Sequence, residues 1–147
     1  MASDTRYYLT ALPSLGDLGS APPLTPAQYL DLVAEAKGPP PLLQTIFLFD
    51  DLHLREAVLA GEIESAQPAV LSVRQVRNEE PLPEFLTIET PVARAVDADR
   101  LWEAYFRHAA ATAAAGPSPL LRQWVGFEIA LRNAVAAARA AQLGLEA

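Results

Sequence analysis

Cysteine is absent from this chain of 147 residues, and lysine occurs only once. The lack of cysteine excludes disulfides, cysteine-ligated zinc and thiol catalysis, and it fits a reducing compartment. No segment approaches the roughly 20 consecutive apolar residues of a membrane-spanning helix. The first ten residues also lack the basic and then apolar pattern of a secretory signal. We therefore expect a cytoplasmic protein with neither a membrane span nor a secretory signal.

Basic residues are few, with 11 Lys and Arg against 18 Asp and Glu, a net charge of -7 and a pI of about 4.7. Nucleic-acid binding needs a basic patch, and the sequence shows none. The acidic excess lies in residues 1–73, whereas residues 74–147 are nearly balanced. An acidic front half could meet a basic partner, but a solvated surface that aids solubility is the commoner explanation.

The catalytic motifs that a small enzyme needs are also missing. There is no G-x-S-x-G nucleophile elbow and no phosphate-binding G-x-x-x-x-G-K sequence. The two histidines, His53 and His108, fall in different predicted helices. Asp50 and Asp51 would have to converge with His53 to bind a metal, yet neighbouring carboxylates on a helix point apart. We expect no catalytic, cofactor or metal site and no enzyme activity; an enzyme would need these three side chains in one pocket.

Hydrophobic residues make up 51% of the chain, which suits a compact core. We expect a single helical domain over residues 1–147. The alanine-rich stripe from Ala134 to Ala141 has nothing downstream to cover it. The chain is therefore either the N-terminal fragment of a longer protein or a protein that associates with a second copy through this last helix.

Helix-start and helix-stop signals recur along the chain. Thr25-Pro26-Ala27-Gln28 is a capping box with proline at the first helical position, and Gly38-Pro39 ends that helix. Asp50 or Asp51 is predicted to cap a further short helix that Gly61 closes.

Two regions are ambiguous between helix and strand. Residues 42–49 form a dense apolar run, for which helical neighbours favour a helix. Residues 68–77 also favour a helix, although their β-branched content leaves a strand open. Residues 79–91 contain three prolines around a short apolar segment, and their structure is the least determined by the sequence.

The C-terminal part predicts a long αα-hairpin. Asp97 caps one helix, which ends at Gly116-Pro117, and Ser118-Pro119 starts the last one, which Gly144 stops. The whole pattern predicts an all-α fold, a helical bundle of about five to six helices ending in this hairpin.

Apolar residues of the last helix fall at positions 120, 124, 127, 131 and 135, which predicts one continuous buried stripe. Polar residues at positions 128 and 132 should flank that stripe at its margin as an i,i+4 ion pair. They either orient the two helices of the hairpin or contact a partner chain. The candidate partner-binding or structural polar cluster comprises Arg122, Trp124, Glu128, Arg132 and Asn133.

Three segments, residues 7–13, 22–30 and 121–133, resemble an uncharacterised bacterial family whose genes are found beside V-type ATPase genes. That family is similar to the V/A-type ATPase subunit called C in prokaryotes and d in eukaryotes. A Glu-x-Asp-x-x-Asn pattern precedes a basic, alanine-rich run there. Glu128 and Asn133 match this pattern, while Ala130 replaces the acid.

The resemblance implies an all-α, non-catalytic protein that links the central rotor stalk to the membrane ring. On this basis we expect a subunit or accessory factor of a bacterial V-type ATPase, with rotor subunits as protein partners and no cofactor. Its contact with a membrane would be only indirect, through that complex. The alternative is a cytoplasmic helical scaffold or regulatory protein with an unrelated protein partner.

Overall fold

A computed structural model describes residues 12–35, 41–87, 96–116 and 119–144. Within these ranges the chain forms α-helices and one short 3-10 turn, with no strand, so the all-α prediction is confirmed. The elements are α1 (Pro26–Ala34), α2 (Pro41–Leu59), α3 (Val73–Val76), the 3-10 turn η1 (Glu84–Leu86), α4 (Asp97–Ala115) and α5 (Pro119–Leu143). None of the described helices is long and apolar enough to span a membrane.

The chain divides into two compact units, Met1–Leu82 and Pro83–Ala147. The first unit contains α1, α2 and α3, and the second contains η1 and the two long helices α4 and α5. The single domain expected over residues 1–147 stays a prediction.

Helix α1 begins at the capping box that the sequence predicts. The Thr25 hydroxyl accepts a hydrogen bond from the Gln28 amide at 3.2 Å, and the Gln28 side chain accepts one from the Thr25 amide at 2.9 Å. The Tyr29 ring lies edge-on to Phe47 of α2, with ring centroids 6.2 Å apart. The predicted stop at Gly38-Pro39 lies outside the described residues.

Helix α2 runs without a break through residues 41–59. The apolar run at 42–49 is therefore helical, as favoured, but the predicted helix start at Asp50 or Asp51 is wrong. No helix-breaking residue separates the two parts, and the Asp51 carboxylate is used by a distant segment instead of a local cap. Gly61 ends the helix as predicted: it has a φ of 74°, and the amides of Gly61 and Glu62 donate to the carbonyls of Val58 and Ala57.

The predicted helix at 68–77 is mostly wrong, because only Val73–Val76 is helical. Its start is a second capping box, in which Ser72 and Gln75 exchange hydrogen bonds of 2.9 and 3.0 Å. The Ser-x-x-Gln spacing was readable in the sequence. Beyond it, Pro81 and Pro83 keep the chain irregular until η1.

Helices α4 and α5 form the predicted hairpin. Asp97 is the first helical residue of α4 instead of its cap; Val96 occupies the cap position, and the Asp97 side chain pairs with Arg100. Gly116 ends α4 as predicted, and Gly144, with a φ of 67°, follows the end of α5. Pro119 is the first residue of α5, while the predicted cap at Ser118 lies outside the described residues.

The hairpin core is built from small and aromatic side chains of α4 against two aliphatic side chains of α5. Arg132 of α5 lies over Trp102 of α4, a pairing that fits only an antiparallel arrangement of two helices joined by a short connection. Turn η1 packs on α4, where the ring of Phe85 stacks on His108 at 4.2 Å. The buried hairpin residues are Trp102, Ala104, Tyr105, Ala109, Ala113, Leu121 and Val125.

Candidate functional site

The apolar stripe predicted to be buried in α5 faces outward. Leu120 is 62% exposed and Phe127 is 61% exposed, and Leu131 and Val135 are also exposed. Trp124 is half-buried. The prediction of a continuous buried stripe is therefore wrong, and the most apolar face of the longest helix is left largely uncovered.

The face that α5 buries is rotated by one residue from the predicted one. Leu121 and Val125 are only 2% and 4% exposed, and Glu128 and Arg132 continue the same line as half-buried residues. Ala104, Ala109 and Ala113 are among the buried residues of α4, and the rings of Trp102 and Phe106 receive the guanidinium of Arg132. Glu128 and Arg132, which were expected to flank the packing face, thus lie on the same line of residues as its buried members.

Arg132 is held by aromatic rings inside the hairpin. Its guanidinium carbon lies 3.9 Å from the ring centroid of Trp102 and 5.4 Å from that of Phe106. A planar cation over a partly desolvated indole is an attractive arrangement, worth roughly 0.5–2 kcal/mol. The contact joins α4 to α5 and therefore helps to set their register.

The five residues of the candidate polar cluster do not converge. Arg132 lies over Trp102, Glu128 and Trp124 are half-buried, and Arg122 and Asn133 are exposed. Arg122 and Asn133 are separated by roughly 16 Å along the helix axis at the usual rise per residue. These residues line different parts of one helix and do not surround a common point.

The outer face of α5 is a surface of distinct composition. Its residues recur in alternating steps of four and three, none is charged, and all but Trp124 are exposed. The members of this outer face are Leu120, Trp124, Phe127, Leu131, Ala134, Ala138 and Ala141. A contiguous exposed apolar surface of this kind is typical of a protein–protein contact.

His108 is a packing residue of the hairpin. Its imidazole stacks on Phe85 with an interplanar angle of 25°, and burial lowers its pKa from the usual 6.5. A lowered pKa keeps this imidazole neutral at pH 7. No group of three metal-ligating side chains occurs in the part of the chain that the structure describes.

The strongest polar arrangement lies in the first unit and was not predicted. The Asp51 carboxylate, 3% exposed, accepts hydrogen bonds from the amides of Ala69, Val70 and Leu71 at 2.7–2.8 Å. Three backbone donors satisfy a buried carboxylate well. Asp51 therefore fastens the segment before α3 to the middle of α2.

Arg55, one turn after Asp51, binds the other end of the same segment. Its guanidinium donates to the carbonyls of Gln75 and Val76 and to the Asn78 side chain, the last at 2.7 Å. Asn78 itself has a φ of 61°, a left-handed conformation that asparagine tolerates. We call Asp51 and Arg55 the α2 clamp. The i,i+4 spacing of an acid and a base was visible in the sequence, but their distant partners were not.

A small cavity adjoins this clamp. It measures about 190 Å³ and is lined by Pro26, Phe47, Asp50, Asp51, Leu54, Gln67 and Ala69. Burial and the neighbouring Asp51 raise the pKa of Asp50. Asp51 is already bound by three amides, and exposed His53 lies beside Glu56 at 3.5 Å. The cavity is smaller than the roughly 300 Å³ at which small-molecule pockets begin.

Comparison with known proteins adds no relative. No protein-family model matches the chain, and no curated protein and no solved structure matches it either.

Proposed function

We propose that this chain is a non-catalytic helical subunit that binds a partner protein through the outer face of α5. The observation that carries the proposal is that α5 buries its more polar face and leaves its more apolar face exposed. Exposed leucine and phenylalanine side chains in water oppose solubility unless a partner covers them. Aromatic side chains in such a surface are the usual anchors of protein interfaces.

The proposed partner assembly is a bacterial V-type ATPase, with the chain as a rotor-linker or accessory subunit. This choice of partner rests on the sequence resemblance in residues 7–13, 22–30 and 121–133. Support from the molecule itself is general: the regular secondary structure of the described residues is helical. The net negative charge of the chain suits contact with basic protein surfaces.

The experiment is affinity capture from gently solubilised membranes of the native host. The tagged wild-type chain is compared with Phe127→Glu, which places a charge at the centre of the outer face. Ala137→Glu is the matched control, because it adds the same single negative charge at an exposed position of α5 that does not belong to the outer face.

Recovery of rotor or ring subunits by the wild type and the control, but not by Phe127→Glu, is the expected result. Recovery of an unrelated protein with the same pattern would keep the binding face and replace the ATPase with a scaffold or regulatory role. Equal recovery of every protein by all three chains would contradict the proposal.

A further inference from the structure

The outer face of α5 follows a heptad pattern. Starting at Leu120, its residues are separated by four, three, four, three, four and three positions up to Ala141. This spacing keeps one line of side chains on the same side of a helix and is the pattern of a two-helix seam. A helix of 25 residues is about 37 Å long, which is enough for three heptads.

The seam has a steep gradient of side-chain size. Its first half carries Leu120, Trp124 and Phe127, and its second half carries alanine at 134, 138 and 141. A parallel pair of such helices would place Trp124 against itself at one end and alanine against alanine at the other. The axes would be forced apart at one end and leave voids at the other, which close-packed interfaces do not tolerate.

An antiparallel pair removes this conflict. With a two-fold axis beside residue 129, Leu120 faces Ala138 and Trp124 faces Ala134 of the other copy. Phe127 then faces Leu131 near the axis, the one place where two larger side chains meet. The outer contacts each pair a large residue with a small one, and two larger residues meet only beside the two-fold axis. The separation of the two helix axes is therefore the same at both ends of the seam.

We propose that, in the absence of another partner, the outer face of α5 is the seam of an antiparallel homodimer, in which its occupant is a second copy of this chain that a partner subunit would displace. The inference rests on the proposed function to the extent that both require this face to bind protein. The complementarity is specific to a second copy, because the small half of the seam matches the large half of the same seam. Such a two-fold contact is self-complementary and closes at two subunits.

The net charge of the chain should make the dimerisation affinity depend on salt concentration. Each copy carries a net charge of -7, so two copies repel each other, while the seam itself holds no charged side chain. The repulsion is therefore of long range and is screened by ions. The dimer should become tighter as salt rises from 20 to 300 mM, the opposite of an ion-paired interface.

A size swap tests the pairing. Trp124→Ala leaves a void against Ala134 of the other copy, and Ala134→Trp puts two indoles in one place. Each single variant should weaken dimerisation by about 30-fold or more in sedimentation equilibrium, as expected for a central interface residue. The double variant W124A/A134W restores one large and one small residue at each contact and should recover most of the affinity.

Cross-linking gives a second test that does not depend on Trp124. The native chain has no cysteine, so any disulfide that forms must join the introduced cysteines. Chains with Leu120→Cys and chains with Ala138→Cys, carrying different tags, should form a mixed disulfide dimer under mild oxidation, and neither alone should cross-link readily. Efficient cross-linking of Leu120→Cys with itself would show a parallel pair and overturn the proposal.

The outcomes separate this proposal from the proposed function. A wild-type chain that remains monomeric at high concentration, or single variants with unchanged dimerisation, would overturn the homodimer. If Phe127→Glu still loses its captured partner in that case, the binding function stands without the dimer. If Phe127→Glu changes neither self-association nor capture, both are wrong.

Discussion

The two units of this chain hold their elements together by different kinds of contact. In the first unit, an irregular segment is fastened to α2 by a buried carboxylate and a buried guanidinium that bind backbone groups. In the second, two long helices pack through small, aliphatic and aromatic side chains, and the guanidinium of Arg132 rests on an indole. A short helix needs specific polar partners because it buries little apolar surface, whereas a long hairpin gains enough from side-chain packing.

The largest effect should come from breaking the α2 clamp. Asp51→Ala leaves the amides of residues 69–71 without their acceptor and should cost about 3–5 kcal/mol of unfolding free energy. Asp50→Ala is the matched control, because the amides of residues 69–71 donate to Asp51 and not to the neighbouring Asp50, so this change should cost little.

Backbone amide exchange is the measurement for the clamp, since both tryptophans lie in the second unit and fluorescence would report the hairpin. Residues 69–71 should lose protection in Asp51→Ala and keep it in Asp50→Ala. Equal exchange in the two variants would show that the clamp does not stabilise the first unit.

A smaller effect is expected from the cation over the ring. Replacing Arg132 by Met keeps the aliphatic length but removes the guanidinium, and the hairpin should lose about 1 kcal/mol. Combining it with Trp102→Leu in a double-mutant cycle isolates the contact from the packing of each side chain. Urea unfolding can be followed in all four chains by tryptophan fluorescence, to which Trp124 contributes in every chain and Trp102 only where it is retained. Additive changes in the free energy of unfolding would mean that the contact adds nothing.

The smallest effect should be a dependence on pH in the hairpin. Burial lowers the pKa of His108 in the folded state, so the unfolded chain binds the proton more readily. The stability contribution is present above pH 6.5 and is lost as pH falls from there through the lower folded pKa. His108→Gln should remove this part of the acid dependence, while exposed His53→Gln should not; thermal unfolding at pH 7.5 and 5.0 gives the comparison.

The ends of the helices could largely be read from the sequence. Thr25 and Gln28 form their capping box, and Gly61, Gly116 and Gly144 stand where helices end. Asp50 and Asp97 were wrongly predicted as helix caps. In the sequence alone, an acidic residue inside a helix or in its first turn cannot be distinguished from one that caps it. The Asp51 contacts needed knowledge of a segment 18–20 residues away.

The buried face of α5 shows why the packing between helices could not be predicted from the sequence. Ranking its positions by hydrophobicity selects residues 120, 124, 127 and 131, yet the hairpin buries 121 and 125 and places Arg132 on an indole. The hydrophobicity of a residue gives the free energy gained when its side chain leaves water, but it does not specify the surface against which that side chain packs. That surface, the alanines and rings of α4, exists only after the two helices have met.

The sequence by itself therefore determined the helical class, the main helix ends and the exclusion of cysteine chemistry, because these depend on composition and on residues within one turn of each other. The tertiary structure alone decided which face of α5 is covered and that Asp51 and Arg55 clamp a distant segment. Those outcomes depend on contacts between elements, where shape and hydrogen-bond partners outweigh the preference of a single helix.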